Sequence, residues 1–143
     1  MHIPITSATL PAVISRSRDV DPGVRKLAYS PVLEQLESPK QLTIAQREFL
    51  VKAGLKDREE AVVASASKLV SSWADENSDI LEFIGLFDLD AEKGNFDDPA
   101  HLALISLFKS RKDIFDNLEF GGTPKTCTIF FSCFLKYCRW FLE

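Results

Sequence analysis

With 143 residues, 45% hydrophobic and 27% charged, the chain is long enough for one compact domain or a few units of an extended one, and apolar enough to bury a core. A formal net charge of −4 excludes a chain that is basic throughout. The charge is uneven, however: residues 1–73 hold ten Lys/Arg against eight Asp/Glu, a net of +2, and residues 74–143 hold seven against thirteen, a net of −6. That asymmetry bears on partners, not on fold.

Leu10, Val13 and Ile14 recur at helical spacing, with Thr9 as the expected cap and Pro11 tolerable in the first turn. The first helix should stop near Arg18. Asp19-Val20-Asp21-Pro22 reads as a tight turn in which Asp21 caps the next helix and Pro22 takes its first position, where a missing N–H costs nothing. Val24, Leu27, Ala28 and Leu33 mark the apolar stripe of that second helix, and Pro31 should kink it or end it early.

The next unit repeats the plan. Thr43 precedes a helix running from Ile44, with Gly54 near its C-terminal end as a stop signal. Asp57 to Glu60 form a turn, and Val62, Val63, Ala66, Leu69, Val70 and Trp73 line the following helix. A shift of 38 residues lays Asp19 on Asp57, Asp21 on Glu59, Val24 on Val62, Ala28 on Ala66 and Val32 on Val70. A period near 40 with two helices per unit predicts an all-α fold of antiparallel helix pairs, an α-solenoid. A third pair is expected from Ile80, Leu81, Phe83, Ile84, Leu86 and Phe87, then from the run Ala100 to Phe108 after the acidic Asp97-Asp98-Pro99 start, with residues 88–98 as a polar loop. Trp73, Phe83 and Phe87 are expected in the core. The predicted division is a helical-repeat segment over 1–120 and a divergent apolar tail over 121–143, expected to pack poorly.

No catalytic constellation is visible. Cys127, Cys133 and Cys138 have the spacing C-x5-C-x4-C, which matches no common zinc pattern, and His2 and His101 are distant in sequence. The odd cysteine count and the absence of a signal-like start favour a reducing, intracellular compartment. GxxxxGK[ST], HExxH and GxSxG are absent, so no enzyme activity, cofactor, metal or small-molecule substrate is expected. The apolar run around Ile129 to Leu135 falls short of the ~20 residues of a membrane span.

Three strings, LPAVISRSRDVDPGVRKLAYS (Leu10–Ser30), LTIAQREFLVKAGLKDREEAV (Leu42–Val62) and ASKLVSSWAD (Ala66–Asp75), together resemble the HEAT-repeat, non-kleisin subunit family of condensin, called condensin subunit 3 or CAP-G. The likeness continues more loosely through Ile80–Asp90 and Ile105–Phe120, and LTIAQRE followed by GLKDRE is its most specific part. Glu60-Ala61-Val62-Val63 departs from the family's Pro-x-Val-Arg, and the match ends after Phe120. Because family members are several times longer, the chain reads as a fragment or truncated gene model.

The resemblance implies a HEAT-type solenoid without catalysis of its own that acts in mitotic chromosome condensation in the nucleus, on chromosomes, with the cytoplasm as a second location. Its implied partners are the kleisin subunit, through it the SMC ATPase subunits, and double-stranded DNA. It also implies an inter-repeat ladder role for Asp19, Arg25 and Asp57. The basic set Arg16, Arg18, Lys26, Arg47, Lys52, Lys56 and Arg58 is the candidate for phosphate contact, without base reading. The competing reading is a protein-interaction scaffold in which these cations offset helix C-termini and never touch nucleic acid.

Overall fold

A computed structural model describes residues 5–76, 80–87 and 99–111. The predicted tail and the 88–98 loop lie outside the described residues, as do Asp97 and Asp98. Within them the fold is all-α: α1 (Leu10–Arg16), α2 (Pro22–Leu27), α3 (Ile44–Leu55), α4 (Glu60–Glu76), α5 (Ile80–Ile84) and α6 (Pro99–Ser110), with three short irregular helical turns between Ala28 and Gln41. No described helix is long and apolar enough to cross a membrane.

Helix α4 is the packing centre. It contacts α2, α3, α5, α6 and the turn Ala28–Val32, while α3 and α6 also pack on each other. The reason is compositional: Val62, Ala66, Leu69, Val70 and Trp73 are all buried, at the spacing of one helical face. Trp73 meets Phe87 at 6.5 Å between ring centroids, and Phe83 meets Phe87 edge-on at 5.9 Å, so the three expected core aromatics form one cluster. Ala100, Ala103, Leu104, Leu107 and Phe108 complete the core from α6.

The helix starts follow local chemistry. Asp21 caps α2 by accepting from the Gly23 N–H at 2.7 Å, ahead of Pro22 at the first position. Thr43 and Gln46 form a reciprocal capping box at α3, the Thr43 N–H donating to Gln46 Oε1 at 2.9 Å and the Gln46 N–H to Thr43 Oγ1 at 3.2 Å. Thr9 does not cap α1: it already has helical φ/ψ, and its hydroxyl is engaged with Thr6. The carbonyl of Thr6 instead accepts from the Leu10 N–H at 2.9 Å.

The second predicted helix is cut short. Ser30 is extended (φ −138°, ψ 123°), as expected for a residue whose α conformation the Pro31 ring disfavours. The break moves the stripe. Ala28, Tyr29 and Leu33 are buried, but Leu27 is 56% exposed and the buried side chain of α2 is Arg25. Helix α1 packs against the Ala28–Val32 turn that continues α2.

Tyr29 is the largest side chain of that turn to enter the core, and its hydroxyl donates to the Leu50 carbonyl at 2.9 Å. Burial pushes its phenol up to about 12 from 10.0. A raised folded value means that stability is fully present below pH 10 and is lost as pH rises towards about 12. Tyr29→Phe should therefore flatten the alkaline decline of the urea midpoint, at a cost near neutral pH of about 1 kcal/mol for the lost hydrogen bond. An unchanged alkaline limb would assign the decline to other groups.

Candidate nucleic-acid interface

The turns Ser17–Asp21 and Lys56–Glu59 have the same internal bond 38 residues apart. The Asp21 N–H donates to Asp19 Oδ1 at 3.0 Å, and the Glu59 N–H donates to Asp57 Oδ1 at 2.9 Å. Each fixes the backbone for the helix that follows, α2 from Pro22 and α4 from Glu60.

Arg25 joins the two turns. Its Nε donates to Asp57 Oδ2 at 2.8 Å and its Nη2 to Asp57 Oδ1 at 3.1 Å, a fork-to-fork pair. Its Nη1 donates to the carbonyls of Asp19 at 2.9 Å and Val20 at 3.0 Å. The two side chains are only 8% and 9% exposed. Burial alone would raise the Asp57 carboxyl, but the Arg25 guanidinium and the Glu59 N–H outweigh it and hold Asp57 below its ordinary value. The Asp57 bond in turn raises Arg25. Asp19 is lowered by the Asp21 N–H first and then by Arg16, whose Nη1 lies 3.0 Å from Asp19 Oδ2.

Above this clamp lies an open cleft of about 610 Å³ lined by Arg18, Asp19, Arg25, Phe49, Lys52, Lys56, Asp57 and Arg58, with Ser17 and Ala53. Five cations face two carboxylates. Arg25 and Asp57 neutralise each other and Asp19 pairs with Arg16, and Arg18, Lys52, Lys56 and Arg58 are the exposed cations of the lining. Lys52 lies in the last turn of α3 and Lys56 at its C-cap, and both line the cleft.

The rest of the predicted basic set lies elsewhere. Arg16 is exposed and paired with Asp19, and Lys26 is exposed on α2, outside the cleft lining. Arg47 is corrected most clearly. It is 7% exposed and donates through Nη1 to the Pro39 carbonyl at 3.2 Å, so its guanidinium is turned into the fold and away from a phosphate at the surface; desolvation holds it below its ordinary value. The sequence reading missed Phe49, whose ring lines the cleft beneath Arg18. Its spacing from Lys52 and Lys56, three and seven residues, was the available signal.

No protein-family model and no solved structure matches the chain. Curated relatives do. The chain is 34% identical over 122 residues to Condensin complex subunit 3 of Schizosaccharomyces pombe, covering 84% of this chain and 14% of the relative. It is 36% identical over 87 residues to Condensin complex subunit 3 of Homo sapiens, covering 59% of this chain and 8% of the relative. The Xenopus laevis protein of the same name matches with the same identity and coverage. The match thus takes in most of this chain but a small part of each relative, and the chain belongs, as a segment, to the condensin complex subunit 3 family.

Proposed function

We propose that this segment contributes a sequence-independent contact to double-stranded DNA within a condensin subunit, without catalysis of its own. The observation that carries the reading is the convergence of Arg18, Lys52, Lys56 and Arg58 on one cleft whose two turns are tied by Arg25 and Asp57. Duplex phosphates are read by a cluster of solvated cations at fixed spacing rather than by a motif, and all four of these side chains are exposed. Relatives named as condensin subunits support the setting: a chromosomal, nuclear protein acting with the kleisin and, through it, with the SMC ATPases.

One observation favours a second reading, a protein scaffold with no nucleic-acid contact. Lys52 and Lys56 stand at the C-terminal end of α3, where cations offset the helix dipole. Charge reversal of Lys52, Lys56 and Arg58 to Glu separates the two. On the DNA reading, affinity for a labelled duplex falls at least tenfold at low salt with the circular dichroism unchanged. Duplex affinity that survives all three reversals, with kleisin binding weakened instead, would sink it in favour of the scaffold.

A further inference from the structure

Phe49 and Lys52 are three residues apart on α3, Lys56 is the residue that ends it, and all three line one cleft, so the end of one helix offers an aromatic ring and two ammonium groups together. Arg18 arrives from a different element, just beyond the end of α1, where a long side chain has no helix to order it. Its Cζ lies 5.9 Å from the Phe49 ring centroid, within cation–π range. The nearby carboxylate does not compete for it: Asp19 is engaged by Arg16 and by the Asp21 N–H. The Arg18 guanidinium thus stands over this ring at the cleft, beside the lysines.

We propose that Phe49 is a positioning residue for duplex binding, its ring holding Arg18 in register with Lys52, Lys56 and Arg58 so that the four act on neighbouring phosphates. This rests on the DNA reading of the cleft. A guanidinium held over a ring by cation–π attraction can still turn N–H groups to phosphate oxygens, because that attraction uses none of its hydrogen-bond donors. An aliphatic side chain of similar size would keep the packing but supply no ring quadrupole.

The test is a set of duplex titrations by fluorescence anisotropy at several salt concentrations, on the full chain, with wild type, Phe49→Leu, Phe49→Tyr, Arg18→Gln and the double variant. Phe49→Leu is expected to weaken binding about two- to fivefold. It should also lower the slope of log affinity against log salt by about one phosphate contact, ~0.9. Phe49→Tyr should restore both, and adding Phe49→Leu to Arg18→Gln should cost nothing more. A wild type that binds with the same slope as Phe49→Leu, or a double variant weaker than Arg18→Gln by the full Phe49→Leu factor, would overturn the positioning role while leaving the DNA reading intact. A wild type that binds no duplex at low salt would overturn both.

Discussion

Gly54→Ala should be strongly destabilising, although the same change in an exposed helix would stabilise by up to ~1 kcal/mol. A Cβ at this position would stand 2.5 Å from Ala66 Cβ and 2.8 Å from both Cζ and Oη of Tyr29. Neither neighbour can yield cheaply. Ala66 Cβ is fixed to the backbone of α4, and Tyr29 is buried with its hydroxyl bonded to the Leu50 carbonyl. The methyl must push α3 away from α4 or expel Tyr29, and overpacking of this kind costs about 2–3 kcal/mol. Urea unfolding would show the loss as a midpoint lower by roughly 1 M or more. Ala66→Gly in the same background removes the nearer obstacle and should recover part of it. A variant as stable as the parent would mean that the α3–α4 approach is looser than described.

The second large effect concerns the clamp between turns. Asp57→Asn keeps the shape but removes the charge that faces Arg25 and turns one acceptor into a donor, leaving a guanidinium with little solvent and three of its four acceptors. The expected fall in melting temperature at neutral pH is several times that of Asp19→Asn, whose partner Arg16 is exposed. The pH dependence follows from the depressed Asp57 value. In the parent, this contribution is present above the ordinary carboxyl value of 3.8 and is lost as pH falls through the lower folded value. The gap between the parent and Asp57→Asn should thus narrow as pH falls below 3.8 and through the lower folded value. A constant gap across the acid range would show that the carboxylate charge is not what the clamp uses. Arg25→Lys should also destabilise, because an ammonium cannot reach Asp57 and the carbonyls of Asp19 and Val20 together.

Helix existence was legible in the sequence wherever caps and apolar spacing agreed. The helix from Ile44 after Thr43, Asp21 with Pro22, and the stripe Val62–Trp73 all appear where local chemistry puts them. The failures have physical causes. Leu27 lay on the expected stripe, but the extended Ser30 ends the helix early and turns the buried face toward Arg25 and Tyr29. Periodicity cannot reveal a buried arginine, since its burial depends on a partner 32 residues away in Asp57 or on the carbonyl of Pro39 for Arg47. Gly54 was read as a helix stop, whereas its work is a close approach between elements, which the residue type alone does not distinguish.

The cleft was half legible. Lys52 and Lys56 are close in sequence at the end of α3, but their meeting with Arg18 depends on where the turn after α1 lies. The 38-residue offset anticipated matching turns at Asp19 and Asp57, and the two internal bonds agree. A HEAT-type stacking of further units, with residues 1–120 as one segment, remains our proposal for the parent subunit.

The most direct measurement is the affinity of the chain for a labelled duplex of mixed sequence, followed from low to physiological salt by anisotropy. Four cations in one cleft predict binding that weakens with salt at a slope near −3 to −4, the same for unrelated sequences. No binding at low salt from a helical, monodisperse sample, or binding indifferent to salt, would contradict a phosphate-contacting cleft and leave the clamped turns as part of a protein scaffold.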